Sequence, residues 1–161
     1  MQRIHNTTLK QLDGSAFSFA PPGPERHNSL LIDTVELFSP RYAPNAYILH
    51  LQDPANTIAI HECQQLTALG IQPLSINDLP DILLYQARKQ VLYCIDVCTL
   101  HGVISNRRKQ ILEHAMEDSP LRRIYISACY DLLDYKQSLD QIAWGSYIWL
   151  AHMPEHTIFH W

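Results

Sequence analysis

Two aspartates carry the most suggestive chemistry in this chain. Asp81 follows Leu79 and Pro80 at the head of one apolar run, Ile82 to Tyr85, and Asp96 is the only charge inside a second, Val91 to Cys98. The polar stretch QARKQ joins the two. If the runs pair as a hairpin turning at Arg88 and Lys89, Asp81 faces Asp96. Directly opposed residues hold their Cβ atoms ~4.5–5.5 Å apart on one face of a sheet. Two carboxylates so placed in an apolar setting do not both stay ionised without compensation. One takes a proton, or the pair binds a hard divalent cation such as Mg2+, which prefers a few carboxylates together with water and phosphate oxygens. The same spacing also permits a purely structural arrangement, with Asp81 capping a turn after Pro80 and Asp96 paired with a nearby arginine.

The residues that follow Asp96 point toward an anion. His101 and Gly102 leave the apolar run, Ser105 reads as the N-cap of a helix, and Arg107, Arg108 and Lys109 fill that helix's first turn. Cations at a helix N-terminus are unfavourable to its dipole by ~0.3–1 kcal/mol, a cost that an anionic partner such as a phosphate offsets. A solvated basic face is the plainer alternative. Of the nine histidines, His152, His156 and His160 recur every fourth residue as helical metal ligands would, but Pro154 lies within the span and the segment reads as two short strands. Structural or surface histidines are therefore expected there. The four cysteines contain no C-x-x-C pair and read as buried, reduced thiols.

These side chains have to be positioned by elements that the pattern outlines. Leu31, Val35 and Phe38 fall at helical spacing over about 28–38, with a stop at Ser39 and Pro40. AYILHL (46–51) reads as a strand, and 62–69 as a short helix closed by Gly70. The two apolar runs come next, followed by a helix from Ser105 to Asp118, the strand IYISAC (124–129), a helix over 132–142, and the closing strands YIWLA and TIFHW. Interleaved helices and strands of this kind imply a mixed α/β (α+β) fold, a central mixed β-sheet flanked by helices. The Pro- and Ser-rich stretch ending near residue 26 marks residues 1–26 as an arm or linker ahead of a domain over 27–161. Alternation in the aromatic tail (Trp144, Tyr147, Trp149, Phe159, Trp161) suggests core packing or a sheet face that covers a partner rather than a base-stacking platform.

Composition narrows the class. With 161 residues, 47% of them hydrophobic and 17% charged, the chain is long enough to bury a core and too apolar for a disordered one. No run of ~18 uncharged apolar residues exists to span a membrane, and the N-terminus has no secretory apolar stretch, so a cytoplasmic location is expected. Twelve basic against 16 acidic residues leave a net charge of −4, which argues against a protein that coats nucleic acid but not against a DNA enzyme with a locally basic groove.

Taken in order, PPGPERHNSL, ELFSPRYAPNAYIL, LPDILLY, VLYCIDVCTLHGVISNRR, IYISAC and IAWGSYIWLAHMPEHTIFHW resemble the catalytic domain of the BsuBI/PstI family of type II restriction endonucleases, over about 21–161. The resemblance implies a core like that of the PD-(D/E)XK nucleases and Mg2+-dependent hydrolysis of double-stranded DNA, with Mn2+ as a substitute. Asp81 and Asp96 would be the metal-binding acids, Glu36 an assisting acid on the leading helix, and His101, Arg107 and Arg108 phosphate contacts. Asp96 stands where the family usually has Glu, and Cys98 where most PD-(D/E)XK enzymes have Lys. The cationic role is then expected of Arg107 or Lys109. The family's members are about twice as long and carry an N-terminal recognition region. The resemblance thus implies a homodimer or a separate recognition subunit, within a restriction or defence system. A competing expectation is a nuclease-like subunit that has lost catalysis and binds DNA or organises an assembly.

Overall fold

A computed structural model describes residues 5–19, 26–53, 58–98 and 102–161. Its elements are β1 (His5–Lys10), β2 (Ala16–Phe19), α1 (Arg26–Asp33), a π-helical turn (Thr34–Phe38), α2 (Ser39–Tyr42), β3 (Tyr47–Asp53), β4 (Ile58–His61), α3 (Cys63–Ala68), β5 (Ile82–Gln86), a 3-10 turn (Ala87–Lys89), β6 (Val91–Val97), α4 (Asn106–Ala115), β7 (Arg122–Cys129), α5 (Leu132–Ser138), β8 (Ser146–Leu150) and β9 (Thr157–His160). The strands form one mixed sheet in the order β2-β1-β3-β5-β6-β7-β8-β9, with β4 added to β3. Pairing is antiparallel from β3 through β6, parallel from β6 through β8, and antiparallel again at β9. The mixed α/β architecture expected from the sequence is the one found.

Strand alternation sorts the core onto two faces. Ile82, Leu84, Tyr93, Ile95 and Val97 pack on one side against Leu30, Leu31, Val35 and Phe38 of the leading helices. Leu83, Tyr85, Leu92 and Cys94 pack on the other against Leu112 and Met116 at α4. Every residue of β6 is buried, as befits an interior strand covered on both faces. Asp96 falls in the register of Leu92 and Cys94 and therefore looks toward the α4 side.

The hairpin expected between the two apolar runs forms, with Ile82 opposite Ile95 and Leu83 opposite Cys94. Its reversal uses the 3-10 turn, with Gln90 at φ 54. Two expectations change. The described part of the arm is built into the sheet rather than separate from it: Lys10 pairs with Tyr47, and Leu9 and Phe17 are buried in the core. Leu9 and Phe17 anchor the hairpin in the core, a signal weaker than the Pro-rich punctuation that follows. Pro21 to Pro24 lie outside the described residues. The leading helix also does not stop at Ser39 and Pro40. Ser39 N–H bonds to Thr34 C=O, five residues back, and this widened turn carries the chain past Pro40, which has no N–H to donate, into α2. In the tail, Trp149 is fully buried, whereas Trp144, Phe159 and Trp161 are exposed.

Candidate active site

The two aspartates meet where the interior hairpin ends. Asp81 precedes the first residue of β5 and Asp96 is the penultimate residue of β6, so the pairing places them opposite each other at the strand ends. Each carboxylate holds the other's strand. Asp96 Oδ1 accepts the Asp81 backbone N–H at 3.0 Å, and Asp81 Oδ2 accepts the Val97 backbone N–H at 2.8 Å. Gln52 of β3 donates its backbone N–H to Asp81 C=O at 2.9 Å, fixing the third strand to the same point. Asp96 is 2% exposed, while Asp81 stays partly open to solvent.

Burial raises the pKa of both groups above the ordinary carboxylate value. At Asp96 the negative charge of Asp81 adds to the effect, while Arg108 and the bonded backbone N–H groups oppose it. The pair thus shares a proton near neutrality when nothing else balances its charge.

Arg108 forms an ion pair with Asp96. Its Nε lies 2.9 Å from Asp96 Oδ2, and its Nη1 donates to Leu79 C=O at 2.6 Å. The helix start that aims it is the expected one: Ser105 is the N-cap, and its hydroxyl accepts the Arg108 backbone N–H at 3.1 Å. The segment entering α4 is anchored to the sheet by Ile104 N–H, which donates to the Ser127 hydroxyl, and Ser127 is paired with Asp96 across β6 and β7.

The other candidates are placed differently. Lys109 turns away, its ammonium donating to Trp144 C=O at 2.8 Å and lying over the Tyr125 ring. Gly145 makes room for it, since a Cβ there would come within 2.8 Å of Lys109 Nζ. Arg107 is exposed and borders a cleft formed with Gln72, Pro73, Leu74 and His114. Glu36 sits half-buried on the π-helical turn. Among the described residues no three His, Cys, Asp or Glu side chains converge as a metal cluster, so Glu36 does not join the two aspartates directly, and His152, His156 and His160 form no site. His101 lies outside the described residues. Cys98 is buried with its Sγ 3.3 Å from the Ser138 hydroxyl, so the position two after Asp96 brings no cation.

Sequence reasoning passed over His27, which lies near enough for its charge to favour ionised Asp96. The segment PPGPERHNSL that holds it was legible as a motif, but nothing in its spacing tied this residue to a strand sixty-odd positions away.

The donor set suits a hard divalent cation. Asp96 Oδ2 is buried and accepts no hydrogen bond, and the two facing carboxylates present oxygen ligands of the kind Mg2+ takes alongside water.

The chain is similar to known proteins over most of its length. The profile of the BsuBI/PstI restriction endonuclease domain matches residues 11–160. The type II restriction enzyme BsuBI of Bacillus subtilis is 27% identical over 135 residues, 84% of this chain and 43% of that enzyme. The solved structure of the SdaI restriction endonuclease shares the fold with a TM-score of 0.81 and 24% identity, over 97% of this chain and 48% of that one. The chain therefore spans a little under half the length of these two relatives. With nearly its whole length matched by one profile and its sheet shared with a solved restriction endonuclease, the chain belongs to the BsuBI/PstI restriction endonuclease domain family.

Proposed function

We propose that the domain hydrolyses phosphodiester bonds of double-stranded DNA within a restriction system, using Mg2+ or Mn2+ held by Asp81 and Asp96. It acts as a homodimer or beside a separate recognition subunit. The observation that carries this reading is the facing carboxylate pair at the ends of β5 and β6, buried, raised in pKa and open to solvent on the Asp81 side. A bound divalent ion supplies Lewis-acid polarisation of a phosphodiester oxygen and makes a water molecule more acidic.

The chain's own groups do the remaining work. Asp81 and Asp96 hold the cation and set its position through their grip on each other's backbone. Arg108 is within reach to stabilise negative charge developing on the phosphate, but its guanidinium does not shed a proton and is no base. It fits that cationic role better than Lys109, whose ammonium is engaged at Trp144, or the outlying Arg107. Glu36 is left with a contribution through water.

Cys98 in the place of the usual lysine favours one alternative, a catalytically silent DNA-binding subunit. Incubating the purified chain with supercoiled plasmid and Mg2+ or Mn2+ separates the two. Nicking that is lost with EDTA, in Asp81→Ala and in Asp96→Ala supports the nuclease. Undiminished nicking in either variant sinks the assignment.

A further inference from the structure

The cation beside the carboxylate pair belongs to the protein itself. Arg108 Nε sits at ion-pair distance from Asp96 Oδ2, yet that oxygen accepts no hydrogen bond. The contact is thus one of charge on charge, without the directional bond that usually locks an arginine to a carboxylate. The firm tether is elsewhere, from Nη1 to Leu79 C=O, two residues before Asp81. Arg108 thus has an anchor on the main chain besides its ion pair with Asp96. The guanidinium is partly open to solvent, with 25% of its side chain exposed, whereas the Asp96 side chain is 3% exposed.

Building on the metal-site reading above, we propose that Arg108 is an internal counterion that competes with the divalent cation for Asp96 and is drawn off by a DNA phosphate. A dication entering at Asp96 Oδ2 meets a guanidinium a few ångströms away, and charges that close in a partly buried setting repel strongly. A phosphate offers the guanidinium a planar, bidentate anionic partner, and the Leu79 tether keeps it close enough to take one. Removing the guanidinium from Asp96 frees the oxygen for the cation. Metal and DNA then bind cooperatively, and by linkage each raises the other's affinity by the same factor. The site loads its metal when substrate is present and keeps its charge balanced when it is not.

The test is calorimetric titration of the folded chain with Ca2+, with and without a short DNA duplex. Arg108→Gln, which removes the charge but keeps a polar amide, and Arg108→Met, which removes both, are compared with wild type. The expected result is that both neutral variants bind Ca2+ about tenfold or more tightly without DNA and lose the tightening that DNA gives wild type. Arg108→Lys, which keeps the charge, stays near the wild-type affinity. Equal or weaker Ca2+ binding by the neutral variants overturns the proposal. So does failure of both to fold while Arg108→Lys folds, because a displaceable counterion is not indispensable to the fold. Loss of the metal-site reading shows differently, as wild-type Ca2+ binding that survives in Asp96→Asn.

Discussion

At the scale of single residues, the energetics centre on two carboxylates that the fold holds together against their own repulsion. Their pKa values are raised in the folded state, so the folded chain binds protons that the unfolded chain has already released. That contribution to stability is fully present below the ordinary carboxylate range and is lost as pH rises from there toward neutrality. Asp81→Asn keeps an oxygen for the Val97 N–H and removes one charge. In EDTA at pH 8 it is expected to gain about 1 kcal/mol, read as about 2–4 °C in Tm. At pH 4 the gain should vanish, because wild type is then already neutralised. Thermal melts at the two pH values check this, and an equal gain at both would refute the shared-proton account. The same protons compete with a metal, so Mn2+ affinity should fall as pH drops through that window. The pairing of Asp81 with Asp96 was legible in the sequence, because two apolar runs around one polar turn admit few registers. An arginine partner for Asp96 was among the readings, but not which arginine. Three successive basic residues point about 100° apart around a helix, and only packing decides which one meets the strand.

At the scale of elements, α4 and the β3–β4 pair each hold a testable dependence. Ser105 caps α4 through the Arg108 N–H, so Ser105→Ala should cost about 1 kcal/mol in chemical denaturation and loosen the arginine's placement. On β3, a bulge between Ile48 and His50 turns His50 inward, where its Nδ1 meets His61 Nδ1 at 3.0 Å. Burial, then the charge of His61, lowers the His50 pKa from 6.5 to about 4. Its Nε2 is buried without a hydrogen-bond partner, and the two Nδ1 atoms share one hydrogen bond whose direction follows the tautomers. A histidine with a depressed pKa contributes stability that is present above 6.5 and lost as pH falls toward about 4. This opposes the carboxylates over the same range. Unfolding curves of His50→Leu should therefore lose the acid-side decline between pH 6.5 and 4, and an unchanged acid limb would contradict the assignment. The cap at Ser105 and the Gly70 closure of α3 at φ 81 were readable from local residue chemistry. The π-helical turn was not, because one i−5 backbone bond around Pro40 leaves no pattern in the residue types, nor were β4 and the β1–β2 hairpin, whose pairing outweighs a weak local pattern.

At the scale of the whole molecule, a net charge of −4 coexists with the proposed DNA site, and on that proposal attraction to DNA has to come from the local field around α4. The chain matches 43% of BsuBI and 48% of SdaI. On the proposed reading, Arg107 and Arg108 contact phosphates, which carry no sequence information, so the chain is expected to bind two unrelated duplexes with the same Kd, weakening steeply with salt, in fluorescence anisotropy. A preference of tenfold or more for one sequence would contradict that expectation. A mixed sheet was foreseeable as a class from the alternation of elements, and the β5–β6 pairing from the hairpin, but the place of β3 beside β5 was not, since sequence spacing leaves the crossovers open. The central claim is that Asp81 and Asp96 together form the divalent-metal site. It is tested most directly by counting bound Mn2+ with electron paramagnetic resonance, in wild type and in Asp81→Asn/Asp96→Asn. The account predicts saturable Mn2+ binding in wild type that disappears in the folded double variant. Binding of the same stoichiometry and affinity in both would contradict it.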